Sequence, residues 1–339
     1  MKNITKMKKI DQIWTELESE MPPESGILYK RLSGEVLPPV YIALKYPEKF
    51  RCIAAHLDSG SVISSDNQNI LRDIRIEKMI DNKNPGKCFF LIVLANNQHR
   101  DIFSTLSEDL INRVSSITEE KELIKQLINR LGKWRLLFEK IGQQGLSNEA
   151  QIGLYGELFF LRKFLQKIGN DLFCIETWKG PEKAVQDFQQ ADWAVEIKTT
   201  HGKNHQKLHI SSERQLDTSL IPRIFLIHYS LEVRQNHGES LNEVVDILFQ
   251  ALLRSPIAYN SFKFKMLEAG YFDIHRHLYA ETGYSLRQEH IYKITHDFPK
   301  ITEANVPVGV GDVRYSIIVP AIDDMTLNES ELFETLNII

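Results

Sequence analysis

Between Ile27 and Ile141 the spacing of apolar residues changes once, and that change limits the folds open to the chain. From Ile27 to Ala95, short segments rich in apolar and β-branched residues (ILYKRL, VYIALKY, FRCIAAHL, SVISS, CFFLIVLA) alternate with clusters of Pro, Gly and Asn, as strands joined by turns do. From Ile102 the period becomes 3.6, with Ile102, Leu106, Leu110 and Ile111, then Leu123, Ile124, Leu127, Leu131, Leu137 and Phe138 in helical register. A β-rich part followed by two helices is predicted. Ile141 to Leu146 (IGQQGL) is glycine- and glutamine-rich and loses all apolar periodicity, so it divides a β-rich N-terminal domain, residues 1–146, from a second domain, residues 147–339. At 339 residues, a two-domain chain is the size expected.

Composition narrows the partners. Apolar residues at 42% suffice for a core, and charged residues at 25% argue against disorder. A formal charge of −4 means that any nucleic-acid surface must be a local basic patch. The N-terminal MKNITKMKKIDQIW runs from lysines into Asp-Gln, which no secretory leader does. The longest apolar run, Cys88 to Ala95, falls far short of the ~20 residues of a membrane span and suits a buried strand. Cys52, Cys88 and Cys174 are scattered without CxxC spacing, as in a reducing compartment, so a cytoplasmic protein is expected.

In the second domain, Ser147 or Asn148 can cap a helix that continues through IGLYGELFFLRKF. DLFCIETW, VQDFQ, WAVEIKTT, KLHISS and PRIFLIHYSLEV then read as strands. Ser240-Leu-Asn-Glu243 is a capping box opening an amphipathic helix, and a helix near Phe262 to Ala269 and strands near Ser285 to Ile294 and Val313 to Pro320 follow. The expected class is α/β in this domain and α+β overall, a mixed sheet flanked by helices.

WAVEIKTT carries the chemistry. Residues two apart on a strand share a face, so Glu196 and Lys198 emerge together while Val195 and Ile197 face the core. A carboxylate that can hold a hard divalent cation, beside an ammonium that can orient water and offset developing charge, suits phosphodiester hydrolysis. A second carboxylate is needed. A hairpin turning at Gln190-Ala191 sets Asp187 across from Val195 and Glu196, at cross-strand distances of ~5 Å. Asp192, ~13 Å from Glu196 along the same strand, belongs to the turn. Glu157 is a third acid, among Leu154, Leu158 and Leu161 on a buried helix stripe, with Gly153 and Gly156 permitting close packing. A buried carboxylate needs a partner, and Lys198 or the metal pocket would be it.

A helix with Gly-Glu, then Gln-Asp-Phe, then Val-Glu-Ile-Lys-Thr-Thr, then Ile-Ser-Ser-Glu-x-Gln-Leu resembles the bacterial PD-(D/E)XK motif family within the restriction-endonuclease-like nucleases. The resemblance runs over most of the chain, but its informative motifs lie between Gly153 and Leu216. It implies that Asp187 and Glu196 bind Mg²⁺, with Mn²⁺ able to substitute, that Lys198 assists the attacking water, and that Glu157 supports the metal shell. Gln186 stands where the motif name has proline, a departure that leaves the metal chemistry unaltered. The resemblance also implies a DNA endonuclease in restriction or antiphage defence, with ATPase and DNA-methyltransferase partners, and is compatible with a homodimer. A DNA-binding or scaffold subunit that keeps the nuclease fold without cutting is the alternative, and a hydrolase of RNA or nucleotides is another.

Neighbouring features divide between chemistry and structure. His201, His205 and His209 at spacing four suggest zinc only on a helix, and TTHGKNHQKLHI with Gly202 and Asn204 is a turn between strands. Lys203, Lys207 and Arg214 near Lys198, against Glu213, suit phosphate contacts as well as a solvated loop. Gln215 either reaches the site from a following helix or closes the capping box Ser212-Glu-Arg-Gln215 at that helix start. Trp178 and Trp193 suit the core more than base stacking, and Val308-Gly-Val-Gly311 is a strand turn rather than a phosphate loop.

Overall fold

The apolar periodicities resolve, in a computed structural model, into two compact units, Met1–Gly142 and Gln143–Ile339. The structure describes residues 10–60, 68–71, 73–96, 99–141, 145–202 and 207–336. The SVISS segment at Ser61 to Ser65 and the centre of the Ile141 to Leu146 linker lie outside them.

In the first unit, helix α1 (Ile10–Ser19) is followed by strands β1 (Gly26–Lys30), β2 (Val40–Tyr46), β3 (Phe50–Asp58), β4 (Gln68–Leu71), β5 (Ile74–Ile80) and β6 (Lys87–Leu94). Helices α2 (Arg100–Val114) and α3 (Glu120–Ile141) complete it. The strands form one antiparallel sheet in the order β1-β2-β3-β6-β5-β4. The apolar run noted in the sequence is β6, an interior strand buried from Cys88 to Leu94, which is why it shows no polar alternation. α1 buries Ile10, Ile13, Trp14 and Leu17, and the Trp14 indole N–H donates to the Ala43 carbonyl at 3.1 Å.

The second unit opens with α4 (Asn148–Ile168), capped by the Ser147 hydroxyl, which accepts the Ala150 N–H, and ended by Gly169 in the left-handed conformation. The segment DLFCIETW, expected as a strand, is helical instead: α5 (Asp171–Thr177) starts where the Asn170 side chain accepts the Phe173 N–H. A local cap outweighs the β-branched composition there. Then come β7 (Phe188–Gln189), β8 (Trp193–His201), β9 (Lys207–Ile210), β10 (Arg223–Gln235) and β11 (Glu239–Ser240). Helices α6 (Leu241–Ala251), α7 (Pro256–Glu268) and α8 (Arg276–Tyr279), strands β12 (Thr282–Lys293) and β13 (Tyr315–Ile318), and α9 (Glu329–Leu336) follow. The capping box Ser240 to Glu243 is formed at the start of α6.

The central sheet is mixed, ordered β11-β12-β10-β8-β7, with β8 and β10 parallel and the other pairs antiparallel. The fold is thus α+β. One sheet face, carrying Val195, Ile197, Phe225, Ile227 and Tyr229, packs against apolar residues of α4, α6, α7 and α9. The other, carrying Ala194, Leu226 and Tyr292, packs against Leu208, Ile210 and Ile317 of the two-stranded β9–β13 ribbon. Glu196 and Lys198 alternate with Val195 and Ile197 and so lie on this second face. The crossover from β8 to its parallel neighbour passes through β9 and a turn at residues 213–216, which brings that turn over the Glu196 and Lys198 face. On the opposite face, α4 approaches β8 so closely that a Cβ on Gly156 would lie 2.2 Å from Thr199 Cγ2.

Candidate active site

The β7–β8 hairpin forms as its sequence requires. Phe188 pairs with Val195 and Gln189 with Ala194, so continuing the register sets Asp187 across from Glu196. Asp187 Oδ2 accepts the Ile197 backbone N–H at 2.7 Å, which ties the side chain to the middle of β8. Its carbonyl accepts the N–H groups of Lys179 and Gly180 at 2.6 and 3.0 Å. Asp192 is exposed in the turn and pairs with Arg223, away from Glu196.

Glu196 is 2% exposed. Its Oε1 takes two donors, Lys198 Nζ at 2.7 Å and Gln215 Nε2 at 2.7 Å. Its Oε2 is buried without a hydrogen-bond partner. A buried carboxylate oxygen left this way costs several kcal/mol or holds a proton. Lys198 spends a second N–H on Gln215 Oε1 at 3.2 Å, and an ammonium has three, so one remains for a water or a phosphate oxygen.

Gln215 therefore meets both site residues. Its Oε1 also accepts the Ser211 N–H at 2.8 Å. No helix begins at Ser212; residues 213–216 form a turn, which corrects the expected capping box and following helix. With Gln215 drawn to Glu196 and Lys198, the side chain that would have closed the box is engaged elsewhere.

Glu157 comes from the stripe of α4, one residue beyond the close contact at Gly156. Its partner is not Lys198: Glu157 Oε2 accepts the Trp178 indole N–H at 2.7 Å. Trp178 is fully buried, and Trp193 is 2% exposed, so neither offers a face to a base. Gly180 closes the cradle, because a Cβ there would lie 2.1 Å from Glu157 Oε2. Gly180→Ala should therefore lower stability by about 1–3 kcal/mol, seen as a lower urea midpoint with unchanged slope. Trp178 and Gly180 escaped the sequence reading because an aromatic residue and a glycine outside any repeat carry no signature of what they touch. The turn is pinned in its own right by buried Lys265 of α7, which donates to the Trp178 carbonyl and to Glu182.

Three acids, buried Glu196 and half-buried Glu157 and Asp187, thus share one nearby ammonium. Burial pushes the Glu157 carboxyl well above the usual range, and the Asp187 charge adds to this against the opposing indole hydrogen bond. Burial pushes Asp187 up to about 6, with the Ile197 N–H and Lys198 opposing. Glu196 is pushed up to about 8 by burial and then by Asp187, with Lys198 opposing. Such a group of acids lacks positive charge, and a divalent cation would supply it. Among the described residues no three His, Cys, Asp or Glu side chains converge on one metal position. Two carboxylates with a partnerless buried oxygen instead match Mg²⁺, which keeps several waters and takes one or two carboxylates plus phosphate oxygens.

The remaining expected residues lie apart. Arg214 pairs with Glu303, so its charge is offset, while Lys207 is exposed at the start of β9. Lys203 and His205 lie outside the described residues. His201 is exposed at the end of β8, and His209 Nδ1 is hydrogen bonded to Ser316. Val308 to Gly311 is an exposed turn, with the Val310 N–H on the Pro307 carbonyl. Among the described residues no helix is long and apolar enough to cross a membrane.

Comparison with known proteins gives one result. The model of a family described as "Putative PD-(D/E)XK family member, (DUF4420)" matches residues 10–320. No curated protein and no solved structure matches the chain. The match takes in Glu157, Asp187, Glu196, Lys198 and Gln215, and over that span the chain belongs to this PD-(D/E)XK family.

Proposed function

We propose that the protein is a divalent-cation-dependent nuclease that hydrolyses phosphodiester bonds of DNA, working in restriction or antiphage defence. The observation that carries this reading is the buried Glu196 Oε2 without a partner, beside Asp187 and next to an ammonium with a free N–H. Asp187 and Glu196 would hold the cation, Mg²⁺ or Mn²⁺. When bound it supplies Lewis acidity toward the scissile phosphate and its attacking water. Lys198 directs its remaining N–H at that water or at a phosphate oxygen and offsets the negative charge that grows in the transition state. Gln215 holds Lys198 and Glu196, donating from Nε2 to Glu196 and accepting from Lys198 on Oε1. Glu157, kept in place by Trp178 and raised toward the neutral form, can hold or release a proton at the edge of the site.

The deciding assay incubates purified protein with plasmid DNA in Mg²⁺, Mn²⁺ or EDTA. The duplex should be both methylated and unmodified, with and without the ATPase and methyltransferase partners of such systems, and labelled RNA should be run alongside. Metal-dependent DNA breaks that Asp187→Ala removes are the expected result. Calorimetry should in parallel show Mn²⁺ binding by the wild type and none by Asp187→Ala. If no divalent cation binds even with DNA present, the scaffold reading replaces this one.

A further inference from the structure

Gln186 occupies the position that the motif's name gives to proline, and the structure gives it bonds that no proline could make. It is 4% exposed, and its Nε2 donates to the carbonyls of Arg214 and Gln215 at 3.3 and 3.1 Å. Both carbonyls belong to the turn that delivers Gln215 to Glu196 and Lys198. That turn has few backbone bonds of its own: the Gln215 N–H reaches the Ser212 carbonyl at 3.3 Å and the Asp217 N–H the Arg214 carbonyl at 3.2 Å. Other anchors hold it as well: buried Leu216, Glu213, which accepts the Val313 N–H at 2.9 Å, the Arg214–Glu303 ion pair, and the Ser212 hydroxyl, which accepts the Arg214 N–H at 3.3 Å. None of these bonds involves the Gln215 carboxamide. That direction matters because the two ends of an amide are not equivalent. Nε2 must face Glu196 while Oε1 faces Lys198 and the Ser211 N–H. In this state both donors to Glu196 sit on Oε1, which leaves Oε2 as the oxygen available to a cation.

We propose that Gln186 is a positioning residue. It cross-links the backbone next to Asp187 to the turn bearing Gln215, and so fixes the carboxamide whose bond to Glu196 Oε1 leaves Oε2 open to a cation. The inference rests on the nuclease reading for its functional consequence, while its structural core is independent of it. The residue acts through Gln215 and touches no reacting group.

Gln186→Met keeps the length and burial of the side chain but removes both donors, and Gln215→Ala removes the group acted on. Two measurements separate the outcomes. In metal-free protein, hydrogen exchange at the Ser211 amide reads whether Gln215 Oε1 stays in place. Titration with Mn²⁺ alone, in wild type, both single variants and the double variant, reads cation affinity. The expected result is faster Ser211 exchange in Gln186→Met and about tenfold weaker Mn²⁺ binding, as loss of an outer-shell partner gives. No further loss should follow when Gln186→Met is added to Gln215→Ala, since the effect is carried by Gln215. Unchanged exchange overturns the cross-link. Faster exchange with unchanged Mn²⁺ affinity, or an equal loss in the Gln215→Ala background, leaves Gln186 as ordinary structural support and overturns its positioning role. A wild type that binds no Mn²⁺ removes the nuclease reading, and the role in cation binding falls with it.

Discussion

Replacing Lys198 with alanine is expected to reduce Mg²⁺-supported DNA cleavage by about two to three orders of magnitude, the usual loss when one donor to developing charge is removed. Folding should survive. Lys198 keeps partial exposure, and the anion it abandons, Glu196, can take up a proton because burial already pushes its carboxyl up to about 8. DNA binding should fall little, since a nuclease holds its substrate through several phosphate contacts and this variant would lose one. Gel-shift and plasmid-nicking assays on the same preparation separate the two effects. Lys198→Arg should rescue poorly, because a planar fork cannot reproduce the angle between Glu196 Oε1 and Gln215 Oε1 that a compact ammonium spans. Cleavage by Lys198→Ala at the wild-type rate would sink the proposed mechanism.

The second large effect concerns pH and Glu196. Its carboxyl rises from an ordinary 4.5 to about 8 on folding, and that of Asp187 from 3.8 to about 6. The folded protein therefore binds more protons than the unfolded chain between these limits, and metal-free stability must fall as pH rises through them. Below about pH 4 the penalty from these two groups is absent; by pH 8 it is nearly complete. Glu196→Gln keeps the shape and removes the charge, so the metal-free variant should be more stable than wild type at pH 8, by a few kcal/mol at most, and should lose that advantage near pH 4. The same variant should bind Mn²⁺ at least about a hundredfold more weakly, since it loses a ligand rather than a supporting group. Thermal melts at pH 4, 6 and 8, with and without Mn²⁺, test both halves. In wild type the cation should raise the melting temperature most at pH 8, where it replaces protons already released. A Glu196→Gln melting curve that tracks wild type at every pH would mean that Glu196 is not strained by its burial.

Much of this was legible in the sequence, and the boundary of legibility has a physical cause. The β-to-α change in the first unit, the Ser240 capping box, the hairpin carrying Asp187 and the paired faces of β8 are local, and local periodicity reports them. α5 was missed because a side-chain cap of one residue, Asn170, decided against the composition of seven. Gln215 stayed divided between cap and site because its choice depends on a turn crossing above β8, a long-range fact with no periodic trace. Trp178 as the partner of Glu157, and Gln186 as the partner of two carbonyls, were hidden for the same reason. A sequence names the donors available but not the acceptors that will come within reach.

The groups that meet around Glu196 come from one uninterrupted stretch, Glu157 to Gln215, although the sheet that supports them is completed by β10 and β12 much later in the chain. Short separations along the chain make their meeting inexpensive in loop entropy. The candidate site residues are therefore a chain-local group, whereas the strand that carries Glu196 and Lys198 is held in place only once β10, from much later in the chain, has paired with it.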